Sequence, residues 1–90
     1  MLYMVVERFK NGDALPAYRR FRDRGRLLSD GVAYVSSWVS ADLTHCYQLM
    51  ECSEPRLLDK WIDRWSDLVD FEVIPVVTSA EAAQRVADQL

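Results

Sequence analysis

Between residues 57 and 69 the apolar side chains fall at Leu57, Leu58, Trp61, Ile62, Trp65, Leu68 and Val69. A helix turning by about 100° per residue gathers these positions on one face, whereas a strand would divide them between two. Ser53, Glu54 and Pro55, just upstream, carry the chemistry of a helix start. Such a helix presents a wide apolar face with two indoles, and that face must lie on another layer of the same domain.

Strands supply that layer. LYMVVERF (2 to 9) is an apolar run rich in β-formers and ending in charge, short enough for one strand. Asn11, Gly12 and Asp13 then mark a turn and a helix start, with Pro16 tolerable in the first turn. The helix is predicted to run to about Leu28. Its wheel places Ala14, Ala17, Tyr18, Phe21, Gly25 and Leu28 on one face and Arg19, Arg22 and Arg26 opposite. Asp30 and Gly31 break the chain before VAYVSSWVS (32 to 40), and Ala41 with Asp42 connects it to LTHCYQLMEC (43 to 52), the pattern of a β-hairpin. FEVIPVVT (71 to 78) is the last strand, confined to a sheet edge by Pro75. Thr78 and Glu81 match a capping box for a helix over about 79–89.

The order is βαββαβ plus a C-terminal helix, an α+β, ferredoxin-like arrangement. At 90 residues the whole chain, 1–90, is one domain, since domains run from about 50 residues upward. Strands one and four lack clean apolar and polar alternation, which predicts cover on both sheet faces. Two helices take one face. The simplest cover for the other is the sheet of a second copy.

The segments MLYMVVERFK, GRLLSDGVAYVSSW, CYQLMEC and WIDRWSDLVDFEVIPVVTSAEA together resemble a family of short bacterial proteins of unknown function within the dimeric α/β-barrel superfamily. The resemblance implies the ferredoxin-like fold and paired sheets, and brings no catalytic residues. Relatives by fold include cofactor-independent monooxygenases, haem-degrading enzymes and lactone isomerases, but fold alone assigns no chemistry.

Charge and cysteine usage narrow the setting. Residues 1 to 26 carry seven Lys/Arg against three acids, and the rest four against eleven, so the two parts are +4 and −7. That polarity suits complementary patches between copies or solvated faces. The overall charge of −3 argues against a nucleic-acid partner despite the run YRRFRDRGR (18 to 26). The first ten residues lack the pattern of a secretory leader, and no apolar run reaches the roughly 18 residues of a membrane span. Cys46 and Cys52 sit six positions apart in one predicted strand, too far to bond, and two reduced thiols fit the cytoplasm.

Chemistry concentrates on the hairpin. With Ala41 and Asp42 as the turn, Trp38 is expected to face His45, Ser36 to face Tyr47, and Tyr34 to face Leu49. One face then shows Tyr34, Ser36, Trp38, His45, Tyr47 and Glu51, and the other Val35, Ser37, Val39, Cys46, Gln48 and Met50. The first is an aromatic wall with few polar groups, as small-molecule sites use. His45 is the candidate catalytic residue, because an ordinary imidazole titrates near pH 6.5 (about) and serves as a general base; the plainer alternative is a histidine stacked at a hairpin tip. No second histidine or CxxC pair completes a metal site, and no cofactor is expected. Trp61 and Trp65 are core by periodicity, and the alternative reading makes one of the two indoles the lid of a cavity between helix and sheet.

These residues support a cytoplasmic homodimer that binds a small apolar or aromatic molecule between sheet and helices, with Tyr34, Ser36, Trp38, Tyr47, Trp61 and Trp65 as ligand-binding residues. One alternative is a cofactor-independent monooxygenase or isomerase using His45. The other is an interaction module whose aromatic hairpin face is only an interface.

Overall fold

The computed structural model describes all 90 residues. Four strands, β1 (Leu2–Phe9), β2 (Ala33–Val39), β3 (His45–Glu51) and β4 (Val69–Val76), form one sheet in the order β2-β3-β1-β4. Every neighbouring pair is antiparallel. Helices α1 (Leu15–Arg24) and α2 (Asp59–Asp63) link β1 to β2 and β3 to β4, and α3 (Ser79–Val86) follows β4. The fold is therefore α+β and ferredoxin-like, with β4 and its Pro75 at an edge where the missing N–H is tolerated.

Strand parity decides what each sheet face carries. Along β1 the buried residues are Tyr3, Val5, Glu7 and Phe9, and side chains of paired positions share a face. Met50, Gln48 and Cys46 on β3, and Pro75, Val73, Phe71 and Val69 on β4, pair with them. This face carries the helices. Its core joins Tyr3, Val5, Phe9, Met50 and Val69 to Ala14, Ala17, Leu58, Trp61 and Trp65. Trp61, Met50, Leu58, Val5 and Val69 are almost wholly removed from solvent, each contributing roughly 1.5–3 kcal/mol relative to exposure. The opposite face, with Met4, Val6, Trp38, Tyr47, Leu49 and Ile74, has no helix over it; Trp38 is 56% exposed.

Both helices between strands are shorter than their periodicity suggests. Helix α1 ends at Arg24, not Leu28, because Gly25 adopts φ 73° and its N–H closes the last turn on the Phe21 carbonyl. The chain then reverses, so Arg26 leaves the outer face the wheel gave it. Tyr18 and Phe21, read as core, are about half-exposed. The second helix is a 3-10 turn over Pro55–Leu58, then α2, then turns to Leu68. The Arg64 carbonyl, which a continuing helix would use, accepts from Arg20 Nη1 at 2.7 Å. Val69 therefore starts β4 instead of ending a helix.

The hairpin departs from the two-residue turn. Trp38 pairs with Tyr47 and Val39 with Cys46, while the Ser40 N–H donates to the His45 carbonyl at 2.9 Å. Residues 41–44 thus form a four-residue loop. Its builder is the Asp42 carboxylate, which accepts from the Ser40 hydroxyl (2.7 Å), the Thr44 hydroxyl (2.7 Å) and the Thr44 N–H (3.1 Å); Leu43 completes the loop at φ 62°. His45 accordingly lies opposite Ser40 and Arg8, not Trp38. A bulge at Val35 adds a second change: Tyr34 pairs with Met50 while Ser36 pairs with Leu49. One extra residue reverses the side-chain alternation, so Tyr34 joins the helix-covered face instead of sharing one with Ser36 and Trp38.

Helix α3 begins at Thr78, whose hydroxyl accepts the Glu81 N–H at 3.1 Å. It buries none of its side chains. No helix is long and apolar enough to cross a membrane.

Candidate functional site

A cavity of about 230 Å³ lies between the sheet and the helices. Phe9 and Val69 enter from the strands, Ala17, Tyr18 and Phe21 from α1, Val39 from β2, and Trp61 and Trp65 from the second helical segment. The half-exposed Tyr18 and Phe21 rings form its rim. Most of the lining is apolar, and the polar groups gather on the sheet side.

Those polar groups are one connected unit. Glu7, only 6% exposed, accepts a short hydrogen bond from the Gln48 amide nitrogen. The Gln48 amide oxygen in turn accepts from Arg26 Nε at 3.1 Å. One amide thus bridges a carboxyl and a guanidinium. Burial dominates the acidity of Glu7, raising its pKa from 4.5 to about 7 against the opposing effects of Gln48, Arg26 and Cys46. The Cys46 thiol is pushed up to about 12, first by burial and then by the neighbouring Glu7 charge. Burial, with lesser effects from Cys46 and Glu7, also raises Tyr18. In the neutral range Glu7 is the group of this cluster that changes charge.

The Arg26 guanidinium lies 3.7 Å from the centre of the Tyr34 ring and 5.2 Å from that of Phe21, in cation–π contact with both. It has no carboxylate partner within ion-pair distance. Its backbone is held on three sides. The Arg26 carbonyl accepts from both indoles, Trp61 Nε1 at 3.1 Å and Trp65 Nε1 at 2.9 Å. Arg64 Nη1 donates to the Leu27 and Leu28 carbonyls at 2.8 and 3.1 Å. Leu27 sits at φ 60°, a left-handed conformation that a branched residue adopts only when its surroundings impose it.

The residues expected to form a single site are divided by the sheet. Trp61 and Trp65 line the cavity, and Tyr34 stacks on Arg26 beside it. Ser36, Trp38 and Tyr47 stand on the other face. His45 stacks on Tyr47, ring centres 6.4 Å apart, with Nδ1 2.8 Å from the Thr44 hydroxyl. It borders a separate, polar depression at the sheet's end with Arg8, Lys10 and Asp70. No group of three His, Cys, Asp or Glu side chains is gathered closely enough to hold a metal ion.

Glu7, Gln48 and Arg26 did not stand out in the sequence. A signal for Glu7 existed: it is in phase with Tyr3, Val5 and Phe9 on a strand whose odd positions face the helices. No such signal existed for Arg26, which reaches the cavity only through the turn at Gly25.

The fold and cavity define a small α+β, ferredoxin-like domain with an internal polar cluster beneath an apolar chamber. The chain belongs to the family described as Domain of unknown function (DUF3303), whose model matches residues 1–90. Neither the curated proteins nor the solved structures include a match to this chain.

Proposed function

We propose that the protein is a cytoplasmic homodimer whose subunits each bind a small, mostly apolar molecule of about one ring in the cavity between sheet and helices. The observation that carries this reading is the pairing of an apolar chamber with one buried, bridged polar cluster. Small-molecule sites combine such walls with a few convergent polar groups, and a cavity of about 150 Å³ already holds a benzene-sized guest. At about 230 Å³ the chamber favours a single ring with one or two polar substituents. His45 lies outside it, so the reading does not depend on the histidine.

Two features support the second copy. The sheet face bearing Trp38, Met4 and Ile74 carries an apolar patch with no cover within the subunit, and Ala83 and Val86 on α3 and Leu90 beyond it are exposed. A two-fold pairing of sheets would cover the first and give the second a surface to rest on. Two free thiols, Cys46 and Cys52, suit a reducing compartment.

Tryptophan fluorescence tests the ligand reading directly, because two of the three indoles line the cavity. Trp38→Phe removes the third. Titrating that variant with phenol, benzaldehyde, benzoate and cyclic enones is expected to give saturable quenching by at least one of them. The same compound should lose its effect in a variant that also carries Val39→Phe, which fills the chamber. Linear responses to all of them, indifferent to Val39→Phe, would refute the reading.

A further inference from the structure

We infer that the cavity is a proton-transfer site for a small cyclic ketone, in which Glu7 moves the proton and the Arg26 guanidinium holds the oxygen on which charge develops. This rests on the ligand-binding reading above and names the chemistry of the same site.

Three observations point to it. First, the carboxyl is buried on the cavity's sheet side and is positioned by an amide donor instead of being neutralised by an ion pair. A purely structural buried acid is normally paired with a cation. Second, Arg26 is bound through Nε to the opposite end of the same amide, while no hydrogen bond or ion pair within the protein engages its two terminal nitrogens. A base and a cationic donor are thereby held one amide apart on a single wall. Third, the loop presenting Arg26 contains the left-handed Leu27 and is fixed by three side-chain donors. Such imposed strain gathers where a side chain must be aimed.

The chemistry balances without a cofactor. Glu7 carboxylate removes a proton from the carbon between the carbonyl and the double bond of a β,γ-unsaturated ring ketone. The C–H electron pair moves into a dienolate, whose oxygen lies against Arg26. The Glu7 carboxylic acid then returns the proton to the far carbon of the former double bond, giving the conjugated enone. Electrons are neither gained nor lost overall. A base pKa near the working pH gives the best compromise between being unprotonated and pulling the proton, and Glu7 lies at about 7. The other groups facing it are Arg26, permanently charged, and Cys46 and Tyr18, both shifted upward by burial; Phe71, Trp61 and Trp65 on the remaining sides do not titrate.

The probe is 3-cyclohexenone, whose conversion to 2-cyclohexenone is followed by ultraviolet absorption, with 2-cyclohexenone binding followed separately by fluorescence in the Trp38→Phe background. Wild-type protein is expected to accelerate isomerisation over buffer, with a rate that rises with pH through a midpoint near 7. Glu7→Gln should lose at least about 100-fold of that rate while its affinity for 2-cyclohexenone changes less than about threefold. Arg26→Lys should retain the pH midpoint and lose rate. Binding without acceleration would overturn the proton-transfer inference and leave the ligand reading standing. Absence of 2-cyclohexenone binding would overturn the inference too, and the wider titration above judges the ligand reading separately. Should Glu7→Gln not fold, a wild-type rate that is flat with pH overturns the assignment by itself.

Discussion

Trp61 and Trp65, one helical turn apart, donate their indole N–H groups to the same acceptor, the carbonyl oxygen of Arg26. The pair ties the second helical segment to the loop that follows α1 and forms a wall of the cavity. The two are not equivalent: Trp61 is 1% exposed and packs edge-on against Phe71 at 5.9 Å, whereas Trp65 stacks under Arg20. Trp61→Ala is expected to cost about 3–5 kcal/mol through the void it leaves. Trp65→Phe keeps the ring and leaves the carbonyl its other donor, so its cost should stay near 1 kcal/mol (about). Urea unfolding monitored by circular dichroism separates these; equal losses would mean that the shared acceptor, not packing, sets the stability.

Glu7 makes stability depend on pH. Burial raises its pKa from 4.5 in the ordinary carboxylate to about 7, so the folded state holds this proton more tightly than the unfolded chain. The stability that follows is fully present below pH 4.5 and is lost as pH rises through about 7. The loss amounts to about 3 kcal/mol. Glu7→Gln can keep an acceptor for Gln48 and cannot ionise. Its stability relative to wild type should therefore improve by that order as pH rises, read from urea midpoints at a series of pH values. A constant difference would show that Glu7 titrates in the folded state at its ordinary value, with no shift from burial.

The βαββαβ order was legible because each element carries its own period: the run at 2 to 9 is a strand and the pattern at 57–69 wraps a helix. What escaped was set by side-chain hydrogen bonds, local or between residues distant in sequence, or by single backbone irregularities. Gly25 looked like one more position on a helix face, yet its positive φ ends α1 and sends Arg26 into the cavity. The bulge at Val35 has no marker such as glycine, and it alone moves Tyr34 across the sheet. The loop at 41–44 is long because Asp42 finds three donors at Ser40 and Thr44, a cooperation that a two-residue turn signal conceals. Trp61 and Trp65 were placed well by periodicity, since their burial is a local consequence of the stripe. Glu7 was overlooked because the burial of one polar residue makes chemical sense only once Gln48 is known to lie beside it.

Cys46 should be chemically quiet. Its thiol is pushed up to about 12 by burial and the Glu7 charge, and the thiolate is the reactive form. Alkylation of native protein by iodoacetamide near neutral pH is expected to be at least about 100-fold slower than that of a free thiol of pKa about 8.5, and fast once urea is added. Mass spectrometry of the cysteine peptides reads this. Rapid native labelling at Cys46 would mean that water reaches the cavity's polar side.

Asp42 gives a local check on the hairpin loop. The Ser40 and Thr44 hydroxyls and the Thr44 amide stabilise its charged form and lower its pKa to about 2. This contribution is present above the ordinary value of 3.8 and is lost as pH falls through about 2. Carbon NMR of the side-chain carboxyl should show that midpoint, and Ser40→Ala should raise it. A midpoint at the ordinary value in wild type would mean that the four-residue loop does not persist in solution.

Trp38 decides what covers the open sheet face. It pairs across the strands with Tyr47 on the side away from both α1 and α2, where an indole 56% exposed is poorly placed in an isolated domain but well placed at the centre of an interface. If a second copy lies there, Trp38→Arg puts an unpaired charge into a desolvated contact. Its dimer dissociation constant should rise by about 30-fold or more, the scale of an interface anchor. Because the cavity lies on the other side of the sheet, the urea midpoint of dissociated subunits should barely move. Analytical ultracentrifugation over a concentration series measures both association constants. A wild-type protein that stays monomeric at high concentration would remove the second copy from this face. A dimer indifferent to Trp38→Arg would move the contact to another surface, of which exposed α3, with Leu90 beyond it, is the next candidate.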